Sequence, residues 1–247
     1  MANFTSFLNE LPDPNTAIGT AGQALSTGSG GTAGPGFASI DFSSEAPVQI
    51  SRTNSGRTIT RGIAGHKWTM NIKYNPMTRE QFEPVYSFLL QQKGRLNPFF
   101  IRLPNHLASR NAAFTTYAGG NAIDSASAVN QGTDYMLQDG HSSTEATQPQ
   151  PGDMFTISNS ADSLHTKAYR VTRVMSNGTY NTAIHSAPSS TQRLIYFTPH
   201  LQRSIPQNAV IDWTPKVRVI LKGDVQQYQL GTNNLYEFAL SVEEAQA

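Results

Sequence analysis

Six basic side chains, Arg52, Arg57, Arg61, Lys67, Lys73 and Arg79, lie between Glu45 and Glu80 with no carboxylate among them. Their chemistry is anion recognition. Guanidinium groups hold carboxylates or phosphates through paired hydrogen bonds, and lysines act as point charges. The whole chain carries a formal charge of only +1, so a block of one sign implies something for it to face. Three readings stay open: a solvated hairpin, a loop that meets a neighbouring subunit, or a contact with nucleic acid. The aromatic interleaving of a single-strand binder is missing, because Trp68 and Tyr74 alternate onto the apolar face of a strand. On the subunit reading, Arg52, Arg57, Arg61, His66 and Lys67 form the interface loop. Glu237, Glu243 and Glu244, near the C-terminus, are then complementary acids on an adjacent copy.

Other reactive side chains do not assemble into a motif. The six histidines, His66, His106, His141, His165, His185 and His200, are scattered, with no HExxH or His-x3-His pattern. His141 and Glu145 are four apart, but in a turn-rich stretch rather than on a helix. Asp139 and Asp153 flank turns, where an aspartate ordinarily accepts backbone hydrogen bonds. GSGGTAGPG lacks the Lys-Ser/Thr ending and the preceding strand of a phosphate loop, and no G-x-S-x-G marks a nucleophile elbow. No catalytic residue, metal ligand or cofactor is assigned, and a non-enzymatic protein is expected.

The elements that carry these residues read mainly as strands. HKWTMNIKY (66–74) alternates Trp68, Met70, Ile72 and Tyr74 against Lys67, Thr69, Asn71 and Lys73, a half-buried strand. Asn54-Ser55-Gly56 is a turn between VQISRT and RTITRGI. A helix follows, with Thr78 and Gln81 at capping-box spacing and Phe82, Val85, Tyr86 and Leu89 on one stripe. Pro84 suggests that the regular helix starts near Glu83, and Gly94 ends it. PFFIRLP (98–104) reads as a buried strand. From 105 to 212 the chain shows short strands and turns with no convincing helix; Ser176-Asn177-Gly178 looks like a hairpin turn. KVRVILKGDVQQYQLGTNNLYEFALSVEEA reads as two or three antiparallel strands.

This gives three regions: an N-terminal arm over 1–36, a β scaffold over 37–104 plus 213–247, and an inserted β-barrel or sandwich module over 105–212. Within the arm, Phe4, Phe7, Leu8 and Leu11 share a helical face up to Pro12, and 15–36 is a small-residue segment expected to be flexible. Charged residues make up only 14% of the 247, below the usual quarter, which suits a surface largely covered by other chains and equally an extracellular β protein. Cysteine is absent, so disulfides and thiolate metal sites are excluded. No apolar run is long enough for a membrane helix, and no signal peptide is apparent at the N-terminus.

The order of SRTNSGRTITRGIAGHKW, YNPMTREQF, KGRLNPFFIRLP and the closing VRVILKGDVQQYQLGTNNLYEFALSVEEA resembles tail proteins of long-tailed bacteriophages, nearest the distal-tail or baseplate-hub type. The likeness covers most of the chain, loosely; order and spacing carry it, and the long arm departs from the shortest members. It implies a tail-tube-like β-sandwich or barrel with one flanking α-helix and an inserted small β-barrel. It also implies a hexameric ring joining the tail tube to the tip proteins, through which DNA passes unbound. The expected location is the virion, after assembly in the host cytoplasm. An alternative is a carbohydrate- or receptor-binding module, with Tyr117, Tyr135 or Tyr180 stacking on sugar. A third reading, a cell-wall hydrolase, lacks a recognisable paired-acid or metal site.

Overall fold

A computed structural model of the chain describes residues 10–11, 17–18, 32–33, 37–63, 65–103, 106, 108–158, 162–179 and 187–245. Strand follows strand from the start: β1 (Ala17–Ile18), β2 (Thr32–Ala33), β3 (Phe37–Glu45), β4 (Val48–Arg52), β5 (Thr58–Gly62) and β6 (Lys67–Tyr74). Helix α1 (Arg79–Gln91) and β7 (Phe99–Arg102) come next. The middle of the chain holds α2 (Ala112–Gly120), β8 (Asp124–Ser125), β9 (Tyr135–Asp139), β10 (Met154–Ser158), β11 (Ala168–Met175), β12 (Arg193–Thr198) and β13 (Val210–Asp212). It closes with β14 (Lys216–Leu221), β15 (Tyr228–Leu230) and β16 (Tyr236–Glu244). The chain is mainly β, with a curled sheet and a closed barrel. It divides into two compact units: Met1–Ile101 with Arg218–Ala245, and Arg102–Val217.

The first unit is organised by period-two alternation. Trp68, Met70, Ile72 and Tyr74 of β6 are buried while Lys67, Asn71 and Lys73 are exposed. The sheet order is β3-β6-β16-β14-β7, with β15 pairing on β16. Antiparallel register sets Leu240 opposite Ile72 and Val242 opposite Met70, so one apolar face runs across the strands. Helix α1 presses Phe82, Val85, Phe88 and Leu89 into the core, with Phe82 stacked on Tyr236 at 4.5 Å and Phe88 edge-on to Phe99 at 5.5 Å.

The helix begins at Arg79, one turn before the start near Glu83 that Pro84 suggested, and Pro84 lies inside it. An internal proline costs about 3 kcal/mol. Burying four large apolar side chains contributes about 1.5–3 kcal/mol each and outweighs that loss. The Gln81 side chain accepts a hydrogen bond from the Thr78 N–H at 3.1 Å.

Of the expected N-terminal helix, only Glu10 and Leu11 are among the described residues, and they are extended. Glu10 bridges Phe100 in parallel, and the Leu11 N–H donates to the Phe100 carbonyl at 2.8 Å. Phe4, Phe7 and Leu8 lie outside the described residues. Within 15–36, Ala17–Ile18 pairs with Thr32–Ala33.

The second unit is a closed barrel of order β10-β11-β12-β9-β8-β13. Phe155, Tyr169, Val171, Ile195, Phe197 and Trp213 are among the residues that fill its core. Helix α2 was not foreseen, because it has no apolar stripe. Phe114 is its one buried residue, meeting Trp213 edge-on at 5.0 Å. What starts it is Asn111, whose side chain accepts from the Ala113 and Phe114 N–H groups at 3.2 and 3.5 Å. Ser176-Asn177-Gly178 is not a tight hairpin. Residues 177–179 form one 3-10 turn, and β11 pairs with β12, which begins only at Arg193. The cause is distant in sequence: the Glu145 carboxylate accepts from Ser176 Oγ at 2.6 Å and from the Gly178 N–H at 2.9 Å.

Candidate partner-binding surface

The basic hairpin is built on a five-residue connection. Gly56 takes a left-handed φ of +80° and donates its N–H to the Thr53 carbonyl at 2.9 Å. Thr53 Oγ1 accepts from the Arg57 N–H at 3.1 Å. The ladder then pairs Arg52 with Thr58, Ile50 with Thr60 and Val48 with Gly62. It extends to the Ile63 N–H, which donates to the Pro47 carbonyl at 3.0 Å.

This register sorts the side chains. Val48, Ile50 and Arg52 share one face, and Ile59 and Arg61 share the other with Gln49 and Ser51. Every residue of β4 and β5 is exposed, including Ile50 at 65% and Ile59 at 52%. A two-stranded hairpin with branched apolar residues on both faces and no cover of its own is marginal in water. Val48, Ile50 and Ile59 stand exposed beside Arg52 and Arg61, with Gln49, Ser51, Thr58 and Thr60 between them.

His66 and Lys67 do not belong to this hairpin. His66 Nε2 hydrogen-bonds Ser44 Oγ at 2.8 Å, and its ring meets Trp68 edge-on at 4.5 Å. Lys67 lies on β6 with Nζ 3.9 Å from Glu243 Oε2 of the same chain. The proposed acids also separate. Glu244 is buried, its Oε2 accepting from the Trp68 N–H at 3.1 Å. Glu243 is engaged by Lys67. Only Glu237 is exposed, opposite Gln229 of β15. Sequence proximity to the C-terminus could not reveal that two of these acids serve strand β6 of their own chain.

Of the three tyrosines considered for sugar stacking, Tyr117 is half-buried and donates its hydroxyl to the Gly140 carbonyl at 3.0 Å. Tyr180 lies outside the described residues. Tyr135 is exposed and forms a cross-strand row with Tyr196, at 5.7 Å, and Arg173, whose Cζ sits 5.9 Å from the Tyr196 ring. Sequence reading missed Tyr196 and Arg173, because only the barrel register aligns them.

Titratable groups in the barrel serve structure. His141 is buried, hydrogen-bonds Gln138 Oε1 at 3.1 Å, and has its pKa pushed down to about 3 by burial and by the Arg193 charge. His165, bonded to the Tyr169 hydroxyl at 2.8 Å, falls to about 4, mainly through burial. Asp139 accepts from the Gly140 N–H and Asp153 from the Gln150 and Arg110 N–H groups, the turn role that their sequence contexts suggested. Among the described residues, no three His, Asp or Glu side chains converge as a metal cluster.

A second surface of the first unit also escaped sequence reading. The outward stripe of α1 carries Glu80, Glu83 and Leu90, flanked by the exposed Arg79; Leu96 and Val225 are exposed as well. Its signal lay in the residues left over once the apolar stripe of α1 had been read.

No protein-family model matches the chain, and no curated protein matches it.

Proposed function

We propose that the chain is a structural, non-enzymatic component of a bacteriophage tail: a distal-tail or baseplate-hub ring protein that joins the tail tube to the tip and contributes to the DNA channel. Its partners are further copies of itself in a hexameric ring, the tail-tube protein and the tip proteins. DNA passes through the lumen without specific binding, and the protein resides in the virion after assembly in the host cytoplasm. The order of sequence segments supports this reading, as does a mainly β scaffold with a flanking helix and an inserted barrel.

The observation that carries it is the β4–β5 hairpin, exposed along its whole length and bearing both isoleucine and arginine. Such an arm is costly in a monomer and useful in an assembly. Light scattering across a concentration series, with electron microscopy of the same samples, tests it. Closed rings with an axial opening are expected. A monomer at every concentration that also fails to join tail-tube protein would overturn the reading.

A further inference from the structure

We infer that Asn177 is a site of covalent ageing in the barrel, where its side-chain amide is lost to water, and that Glu145 is the clasp that holds it unreacted. The inference is independent of the tail reading. Asn177-Gly178 is the only Asn-Gly pair in the sequence. Glycine has no Cβ to shield its backbone nitrogen, so that nitrogen is the least hindered nucleophile a preceding asparagine can meet. Both residues are exposed, so water reaches them.

The reaction needs only water. Hydroxide takes the proton from the Gly178 N–H, and the nitrogen attacks Asn177 Cγ. The N–Cγ bond forms, the Cγ–Nδ2 bond breaks, and Nδ2 leaves as ammonia with a proton from solvent. The cyclic imide then takes up a water molecule and opens at either carbonyl, to aspartate or to isoaspartate. Nothing is oxidised or reduced.

The folded chain restrains each part of that step. The Gly178 N–H, whose proton must leave, donates to Glu145 Oε1 at 2.9 Å. A carboxylate there opposes the negative charge that would form on the nitrogen. The same Oε1 accepts from the Oγ of the buried Ser176 at 2.6 Å, which anchors the clasp. Asn177 Nδ2, the leaving group, donates to the Pro188 carbonyl at 2.7 Å. Residues 177–179 form a 3-10 turn, whose ψ of about −20 to −30° must open before Cγ can close on the nitrogen. A Cβ at residue 178 would stand 2.7 Å from Glu145 Oε1, so the reactive glycine is also what lets the carboxylate approach.

The change runs one way. An acid at 177 has no amide hydrogen to give the Pro188 carbonyl, and its charge repels Glu145, so the native bonds do not re-form.

Full-length parent and Glu145→Ala chains held at mildly alkaline pH test this. Peptide mapping by mass follows amide loss at Asn177 and the split between aspartate and isoaspartate. The parent chain unfolded in guanidinium gives the unprotected rate. The folded parent should react at least about tenfold more slowly than that reference, and Glu145→Ala at least about tenfold faster than the folded parent, as losing a hydrogen bond to a charged group implies. Val171→Ala, which loosens the barrel core but leaves the clasp intact, should keep the slow rate. Fluorescence of the buried Trp213 reports whether each barrel is folded. If alanine unfolds the barrel, Glu145→Gln, which keeps an oxygen acceptor without the charge, takes its place with the same reading. A folded parent that reacts as fast as the unfolded chain would overturn the clasp, and so would a folded Glu145 variant as slow as the parent. Equal acceleration by Val171→Ala would assign the protection to general stability and overturn it as well.

Discussion

Asp124 and Asp139 stand directly opposite one another, paired across β8 and β9 at the wall of the barrel. Asp139 is committed: its carboxylate accepts from the Gly140 N–H at 2.8 Å and from Thr191 and Gln192 side chains at 3.3 and 3.4 Å. Asp124 absorbs the conflict. Burial, and then the Asp139 charge, raise its pKa above the ordinary carboxylate value. Like charges directly opposite destabilise a sheet by about 0.2–1 kcal/mol. A raised acid pKa means that the strain is absent below the unfolded-state value and grows as pH rises through the folded one. Asp124→Asn should therefore raise the urea midpoint at pH 7 and leave it unchanged at pH 3. Equal effects at both pH values would refute this account.

The buried histidines set the opposite acid limit. His141 and His165 are held neutral, with folded pKa values of about 3 and about 4. A base whose folded pKa lies below its unfolded value of about 6.5 contributes full stability above pH 6.5. That contribution falls as pH drops towards the folded values, because the unfolded chain binds the extra protons. For His165, with Asp162 raising and Arg203 lowering its pKa, the loss is on the order of 3 kcal/mol. His165→Gln, which keeps a partner for the Tyr169 hydroxyl, should flatten the decline between pH 6.5 and 4. Trp213 fluorescence in a Trp68→Phe background reads the barrel alone. A decline as steep as in the parent chain would argue against the assignment.

Neighbouring acids on β16 should differ sharply. Glu244 is buried on the Trp68 N–H, whereas Glu243 meets Lys67 at 3.9 Å with both groups partly exposed. Removing the buried acceptor leaves an unsatisfied donor and costs about 1–3 kcal/mol, while an exposed pair contributes about 0–1. Glu244→Ala should lower the unfolding midpoint reported by Trp68 several times more than Glu243→Ala. Similar losses from the two would disprove the distinction.

Arg193, the first residue of β12, ties the segments around Ser142 and Ser190–Gln192 together through three carbonyls. Its fully buried guanidinium donates to Ser190, Gln192 and Ser142 at 2.9, 2.7 and 2.8 Å. Burial lowers its pKa, opposed in part by Glu145. A lysine brings a compact ammonium that cannot reproduce this fork. Arg193→Lys should destabilise the barrel by about 2–3 kcal/mol, measured by chemical denaturation with Trp213 as reporter. Parent-like stability in this variant would show that the carbonyls accept a substitute.

Local patterns made parts of this molecule legible. The alternation of Trp68, Met70, Ile72 and Tyr74, the Phe82–Leu89 stripe and the Asn54-Ser55-Gly56 turn all depend on neighbours within a few residues. What escaped depends on distance. Helix α2 is held by one capping asparagine and one buried Phe114, too little for a periodic signal. Ser176-Asn177-Gly178 obeys Glu145, 31 residues away from Ser176. Glu244 serves Trp68 across 176 positions, so an acid that looked available for a neighbour is already in use. The basic hairpin was readable as an arm, but its two faces could be sorted only after the ladder register was known.

The barrel occupies one uninterrupted excursion of the chain, leaving within β7 and returning within β14, strands that are neighbours in the sheet. Everything between is a cassette. Its sequence can drift, lengthen or be replaced wholesale while the sheet keeps its register, because the two junctions are already fixed beside each other by sheet hydrogen bonds. The sheet asks one thing of the insertion: that it begin and end on adjacent strands.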